Sequence, residues 1–190
     1  NSGIGSNGLT SARHDVLSQY IKEKYPESYD NNLPIKLSYC GSKNLTDKLD
    51  GFNIDIGKML LSPTRSYAPL LKLIFDEIGR NKINGIIHCT GGGQTKILHF
   101  IDNLHILKNN LFEIPPIFKL IMNESNTDPK EMYKVFNMGH RMEIYLDPEN
   151  AHKVIHISKS VGIDAKIIGE VIESDHKKLT IQSELGNFDY

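Results

Sequence analysis

The sequence predicts an α+β fold in which helices pack on a mixed, mostly antiparallel sheet. Helical stripes alternate along the chain with short apolar segments, so both element types are present. Several of these segments alternate apolar with polar residues, which is typical of strands with one solvated face rather than of a doubly wound parallel sheet. A hydrophobic fraction of 39% over 190 residues is enough to bury a core of ordinary size.

The first half of the chain predicts two amphipathic helices separated by a weakly patterned segment. A helix over about 9–24 carries an apolar stripe and stops before Pro26. Residues 26–56 are predicted to be an insertion or a flexible segment, because few loops within a domain are this long. A second helix is predicted to begin with Ser62 as N-cap and Pro63 at its first position. Its buried stripe consists of Tyr67, Leu70, Leu71, Ile74 and Ile78.

A strand over 84–89 then leads into three consecutive glycines, and a helix is predicted to begin within them. That helix would carry Ile97, Leu98, Ile101 and Leu104 on one side. Further short helices are predicted over 117–122 and from Asp128-Pro129 to about Phe136.

The last third predicts a strand, a capped helix and two more strands. The strand covers 141–146, where apolar residues alternate. Asp147-Pro148-Glu149 opens the helix, and Gly162 closes it. The final strands are predicted over 165–173 and 178–183.

Composition narrows the functional class. The net charge of −1 favours neither nucleic acid nor an acidic membrane as a partner. Cys40 and Cys89 are too few for a disulfide framework, and Cys89 is interpreted as a small strand residue rather than a nucleophile. No metal-ligating residues are predicted from the eight histidines. Without a signal peptide, a lipidation motif or an apolar run near 18 residues, a cytoplasmic location is expected.

The start of the chain indicates that it is part of a longer polypeptide. It begins at Asn1 without methionine and continues into the small-residue segment 2–8. Such a segment is more typical of an interior junction than of a terminus.

His88-Cys89-Thr90-Gly91-Gly92-Gly93 is the most informative motif. Consecutive glycines leave no side chain between backbone N–H groups and a ligand, and a helix N-terminus adds donors for an anion. His88 and Thr90 supply a titratable group and a hydroxyl beside that anion. The motif predicts a site for a phosphorylated small molecule, although a plain strand-to-helix turn would use the same residues.

Four motifs in order resemble the phosphoribosylformylglycinamidine cyclo-ligase (AIR synthetase) family, over nearly the whole chain but only the C-terminal half of that enzyme. They are Ser2-Gly3-Ile4-Gly5-Ser6-Asn7-Gly8, Leu61-Ser62-Pro63-Thr64-Arg65-Ser66-Tyr67, His88 to Gly93, and Glu131-Met132-Tyr133-Lys134-Val135-Phe136-Asn137-Met138-Gly139.

The resemblance implies a single C-terminal domain over 1–190 of an α+β AIR-synthetase-like fold. It implies a purine-biosynthetic enzyme that uses ATP to close formylglycinamidine ribonucleotide into aminoimidazole ribonucleotide. An absent N-terminal domain would hold most contacts to ATP and Mg²⁺ and the homodimer interface. The isolated chain is therefore expected to lack activity.

The resemblance also implies candidate site residues, each with an ordinary structural alternative. His88 would take a proton from the attacking amine or polarise the oxygen, or it would be a hydrogen-bonded structural residue. Asn7 and Asn137 would contact substrate, Asn7 equally well forming a turn before the helix. Arg65 would bind phosphate or form a surface salt bridge. Phosphate would be cradled by the turn that consists of Thr90, Gly91, Gly92 and Gly93. For Thr90 the alternative role, that of a helix cap, is the preferred interpretation.

Two departures from the family pattern keep other functions open. Gly5 stands where the family usually has histidine, and His140-Arg141 replaces a small residue and a glycine. The alternatives are another ATP-using member of the superfamily, or a nucleotide- or phosphate-binding module without catalysis.

Overall fold

The computed structural model describes residues 2–5 and 8–190, which divide into two compact units. Unit 1 contains the described part of 1–64 together with Thr90–Gln94 and Glu113–His140. Unit 2 contains Arg65–Cys89, Thr95–Phe112 and Arg141–Tyr190. No helix in these residues is long and apolar enough to cross a membrane.

Helices and strands alternate along the chain. The α-helices are α1 Leu9–Val16, α2 Gln19–Lys24, α3 Ile56–Leu60, α4 Ala68–Ile78, α5 Pro116–Ser125, α6 Pro129–Val135 and α7 Pro148–Ser160. The strands are β1 Ile83–His88, β2 Leu104–Lys108, β3 Met142–Leu146, β4 Gly169–Glu173, β5 Lys178–Ser183 and β6 Gly186–Asp189. Short 3₁₀ helices cover Pro26–Ser28, Ile35–Leu37, Arg80–Lys82 and Gly93–His99.

The predicted α+β class with mixed, mostly antiparallel pairing is confirmed. In the part of the chain that the structure describes, β1 pairs with β3, and a second sheet has the strand order β4-β2-β5-β6. The β2–β5 pair is parallel, whereas β1–β3, β2–β4 and β5–β6 are antiparallel. All six strands belong to unit 2.

Each unit buries its own apolar side chains. In unit 2, Leu70 and Ile74 of α4 meet Val154 and Ile157 of α7, and one face of the β1–β3 pair packs against this cluster. In unit 1, α1 packs against α5. The fully buried apolar residues of unit 1 include Ile4, Ala12, Val16, Ile56, Phe118, Ile121 and Met132.

The prediction of one helix over 9–24 was wrong, because the chain breaks at Leu17 and Ser18. Leu17 has an extended ψ of 144°, and α2 starts only at Gln19. The N–H of Ser18 donates to the Lys43 carbonyl at 2.8 Å, and Lys43 donates back to Val16 at 3.1 Å. Backbone bonds to a distant segment therefore replace the helical bonds that the local pattern favoured.

The predicted helix start at Ser62 was also wrong, since α4 begins at Ala68. The Ser62 hydroxyl accepts a hydrogen bond from the N–H of Ser2 at 3.0 Å. This bond uses the oxygen that a helix cap would need, and the chain stays irregular until Tyr67.

The element after the glycines differs from its prediction in type and length. It begins within the glycines as expected, but it is a 3₁₀ helix over Gly93–His99 and not an amphipathic α-helix. Leu104 belongs instead to β2, whose buried residues Ile106 and Lys108 follow the period of a strand. The dipole of a long α-helix is consequently absent from this turn.

Most other predicted elements are confirmed. Asp128 caps α6, its carboxylate accepting the N–H of Lys130 at 2.8 Å, with Pro129 at the first position. β3 and α7 lie where the sequence predicts them, and Gly162 follows α7 with φ of 70°. β4 is shorter than predicted, and β6 was missed.

Candidate functional site

Three of the four sequence motifs meet around Asn137 in unit 1. This residue is buried, and its Nδ2 donates to the carbonyls of Gly3 at 3.3 Å and Ile4 at 3.4 Å. Its Oδ1 accepts the N–H of Gly139 at 2.8 Å, and its backbone carbonyl accepts from Gln94 Nε2 at 2.7 Å. Asn137 thus joins the first motif to its own motif and to Gln94, the residue that follows the glycine turn.

Close packing strengthens this convergence. A Cβ at Gly8, where φ is 64°, would stand 2.5 Å from a ring carbon of Phe136. A Cβ at Gly139, where φ is 99°, would stand 2.9 Å from the ring of Pro115. Both positions need glycine for the backbone conformation as well as for the contact.

The fourth motif, Leu61 to Tyr67, contacts the first motif through Ser62 and Thr64. Besides the bond from Ser2 to Ser62, the Ser2 hydroxyl donates to the Met59 carbonyl at 2.6 Å. A Cβ at Gly5 would meet the Thr64 hydroxyl oxygen at 3.0 Å. Gly5 also has a left-handed φ of 59°, so the glycine that departs from the family pattern fits a strained backbone position.

The three glycines of the turn have different surroundings. Gly93 has φ of 48°, and a Cβ there would lie 2.5 Å from the Phe136 carbonyl oxygen. Gly92 has φ of 87°, and the N–H of Gly93 closes the turn on the Thr90 carbonyl at 2.9 Å. Gly91 is exposed, its φ lies outside the left-handed region, and a Cβ there would meet nothing within 4 Å. The fold therefore explains Gly92 and Gly93 but does not require glycine at position 91.

His88 lies at the end of β1, in unit 2. Its ring meets the ring of Tyr67 edge-on, with centroids 6.2 Å apart. The imidazole is exposed on one side, and partial desolvation by the surrounding protein lowers its pKa, as does the nearby charge of Lys96. The histidine is thereby held toward the neutral form, which can accept a proton.

Lys96 was missed by the sequence analysis. Its ammonium donates to the backbone carbonyl of His88 at 3.1 Å, which places a positive charge at the end of β1. The signal available in the sequence was a lysine three residues after the glycine turn. Without the turn geometry, that spacing does not distinguish it from a surface residue.

Arg65 is exposed and lies in unit 2, three residues before α4 rather than in the first turn of a helix. One of its guanidinium nitrogens donates to the Gly162 carbonyl at 3.3 Å.

The structure distributes the candidate residues between the units. Thr90, the glycines and Asn137 lie in unit 1, whereas Arg65 and His88 lie in unit 2. Asn7 lies outside the described residues. The polar atoms of Asn137 bind backbone groups, so its direct contact with a substrate stays a prediction.

One histidine pair was also overlooked by the sequence analysis. His152 and His156 have the His-x-x-x-His spacing and are exposed on α7. Among residues 2–5 and 8–190, however, no group of three or more His, Cys, Asp or Glu side chains could hold a metal ion.

Curated relatives resemble this chain over nearly all of its length. It is 36% identical over 188 residues to the phosphoribosylformylglycinamidine cyclo-ligase of Methanococcus vannielii, covering 96% of this chain and 47% of that protein. It is 34% identical over 174 residues to the protein of the same name from Methanocaldococcus jannaschii, covering 91% and 43%. The chain thus spans about half the length of the curated relatives it matches.

The chain also resembles one solved structure and one family model. The crystal structure of E. coli HypE, a hydrogenase maturation protein, aligns with a TM-score of 0.46 and 16% identity over 94% of this chain and 47% of that one. The family model described as AIR synthase related protein, C-terminal domain, matches residues 38–182. On this match, which covers more than half of the sequence, the chain belongs to the AIR synthase related protein C-terminal domain family.

Proposed function

We propose that this chain is the C-terminal part of an ATP-dependent cyclo-ligase of purine biosynthesis. The reaction closes formylglycinamidine ribonucleotide into aminoimidazole ribonucleotide and releases ADP and phosphate. The observation that supports this proposal most is that motifs more than 130 residues apart in the sequence meet in unit 1. Asn137 joins them through its hydrogen bonds to the carbonyls of Gly3 and Ile4. The names of the curated relatives agree with it.

Gly91 supports a ligand-binding role for the glycine turn. Since neither φ nor packing requires glycine there, the free space above its backbone is available to a ligand group. Thr90, Gly91 and Gly92 would offer N–H or hydroxyl donors to a phosphate oxygen, whereas the N–H of Gly93 donates to the Thr90 carbonyl and keeps the turn closed. The binding would rest on these donors and not on a long helix dipole, because the following helix is a short 3₁₀ segment.

The chemistry requires an amide oxygen to be activated by phosphoryl transfer from ATP. A substrate nitrogen then attacks the activated carbon, a proton leaves that nitrogen, and phosphate departs. His88, with its lowered pKa, would accept this proton, and Arg65 and Asn7 would contact the substrate. ATP and Mg²⁺ would be bound mainly by the part of the protein that precedes this chain, and homodimer formation would rest there as well.

Turnover by the full-length protein tests the proposal. We expect ADP release that depends on formylglycinamidine ribonucleotide, with aminoimidazole ribonucleotide as product, and no turnover by the isolated chain. ADP release that depends only on another substrate would indicate a different ATP-using member of the superfamily. Binding of the ribonucleotide without turnover would indicate a catalytically inactive module, and either result contradicts the proposal.

A further inference from the structure

Lys96 and Tyr67 both contact His88 at the end of β1, and all three residues belong to unit 2. The ammonium of Lys96 donates to the His88 carbonyl at 3.1 Å. The Tyr67 ring meets the imidazole edge-on with centroids 6.2 Å apart, and it also packs against the apolar cluster of α4 and α7. One side of the imidazole is therefore in contact with a ring anchored in the core, while His88 as a whole is exposed.

The bond to the His88 carbonyl fixes the place of the Lys96 charge. Lys96 is half-buried within the 3₁₀ helix Gly93–His99. A carbonyl is a neutral acceptor, so the bond positions the ammonium without cancelling its charge. A cation that is already held in place loses less side-chain entropy when it binds an anion. Burial lowers the pKa of His88 and the Lys96 charge lowers it further, so this charge acts on the imidazole.

A fixed cation beside His88 fits the chemistry of ring closure. In that step the N–C bond forms and the bond from carbon to the phosphorylated oxygen breaks. The electron pair of that bond leaves with the phosphate, and the nitrogen passes its proton to the imidazole. Nitrogen and phosphorylated oxygen are bonded to the same carbon in the transition state. A substrate that brings the nitrogen to His88 therefore brings the phosphoryl oxygens to the same strand end, where negative charge develops.

We propose that Lys96 is a catalytic residue that binds the phosphoryl group on the activated amide oxygen, while His88 accepts the proton. The proposal rests on the proposed function for the identity of the reaction. The binding of an anion by Lys96 beside His88 is a property of the chain itself and can be measured without substrate. A lysine suits this role, because its ammonium binds phosphoryl oxygens as a compact point charge.

Three variants of the full-length protein at position 96 test the charge. Lys96→Met removes the charge and keeps the length of the side chain. Lys96→Gln also removes it but retains an N–H donor for the carbonyl, and Lys96→Arg keeps the charge. The matched control is Lys82→Met, since Lys82 is an exposed lysine in a 3₁₀ helix at the opposite end of β1. Circular dichroism establishes that each variant is folded, and Lys96→Gln takes the place of Lys96→Met if the latter is not.

The first readout is the binding of inorganic phosphate at constant pH and ionic strength. It is followed by the NMR signal of the His88 ring in protein labelled at histidine Cε1, assigned with His88→Gln. We expect phosphate to shift this signal in the wild type, in Lys96→Arg and in the control. In the folded uncharged variants the apparent Kd should rise at least about tenfold, because the charged partner is lost. A wild-type signal that does not respond to phosphate, or an unchanged Kd in the uncharged variants, overturns the proposal.

The second readout is steady-state turnover. Loss of a cation that binds developing charge costs rate, so we expect kcat to fall about a hundredfold with KM changed less than about twofold. A raised KM with an unchanged kcat would mean that Lys96 binds the ribose phosphate of the substrate, and it would overturn the catalytic role. A full-length protein without cyclo-ligase turnover contradicts the proposed function alone, since the phosphate titration still decides whether Lys96 binds an anion.

Discussion

Gly93 and Phe136 are in backbone contact, and a Cβ at Gly93 would stand 2.5 Å from the Phe136 carbonyl oxygen. The Tyr133 carbonyl oxygen would lie 2.7 Å from the same atom. The last residue of the glycine turn is thus packed against the end of α6, while the first, Gly91, is open. This difference separates a structural from a ligand-binding role within three consecutive residues.

We expect Gly93→Ala to destabilise the protein by about 2–3 kcal/mol, because it combines a left-handed φ with overpacking against two carbonyl oxygens. Urea denaturation monitored by circular dichroism measures the change. A free energy of unfolding equal to that of the wild type would contradict the packing derived for this turn.

Gly91→Ala, unlike Gly93→Ala, should affect ligand binding and leave stability nearly unchanged. Its stability should stay within about 0.5 kcal/mol of the wild type, since the added methyl group meets nothing. We expect KM for formylglycinamidine ribonucleotide in the full-length protein to rise about tenfold, equivalent to about 1.4 kcal/mol of lost binding. An unchanged KM would show that no ligand approaches this backbone.

Asn137→Ala should destabilise unit 1, because the bonds to Gly3, Ile4 and Gly139 are lost and buried carbonyls lose a donor. We expect a loss of about 2–3 kcal/mol. Hydrogen exchange should also become faster at the Gly139 amide, because in the wild type this amide donates a hydrogen bond to Asn137 Oδ1. Replacement of the exposed Asn32 by alanine serves as the control, and equal effects of the two substitutions would contradict the role given to Asn137.

His14 should make stability depend on pH. Its Nδ1 accepts a hydrogen bond from the N–H of Tyr39 at 3.3 Å. Burial lowers the pKa of His14, the charge of Arg13 lowers it further, and the charge of Asp15 acts in the opposite direction. Because the unfolded histidine binds protons more readily than the native one, stability is lost as the pH falls below about 6.5 toward the native pKa. His88 contributes in the same direction.

Unfolding free energies measured between about pH 7.5 and about pH 5.5 test this dependence. We expect the loss on acidification to be smaller in His14→Gln than in the wild type. His99→Gln changes an exposed histidine and should leave the dependence unaltered. If the unfolding free energy of His14→Gln depends on pH as strongly as that of the wild type, His14 is not the cause of the dependence.

Elements with strong local signals were predictable. Asp128-Pro129 and Asp147-Pro148 carry the signature of helix starts, and the alternation of Met142, Ile144 and Leu146 matches β3. The roles of the individual glycines were not predictable, because Gly91 and Gly93 are identical in sequence terms. The left-handed φ of Gly93 and the carbonyl oxygens of Tyr133 and Phe136 beside it distinguish Gly93 from Gly91.

The sequence by itself determined the α+β class, the order of most elements and the four motifs that resemble the cyclo-ligase family, since periodicity, caps and motifs are local. Tertiary structure decided the helix break at Leu17, the hydrogen bond from the Ser2 N–H to the Ser62 hydroxyl and the ion pair between Lys108 and Glu143. These features depend on partners 26 to 60 residues away, at Lys43, Ser62 and Glu143. Distant hydrogen bonds and buried charges compete with local propensity, and the fold alone brings those partners within reach.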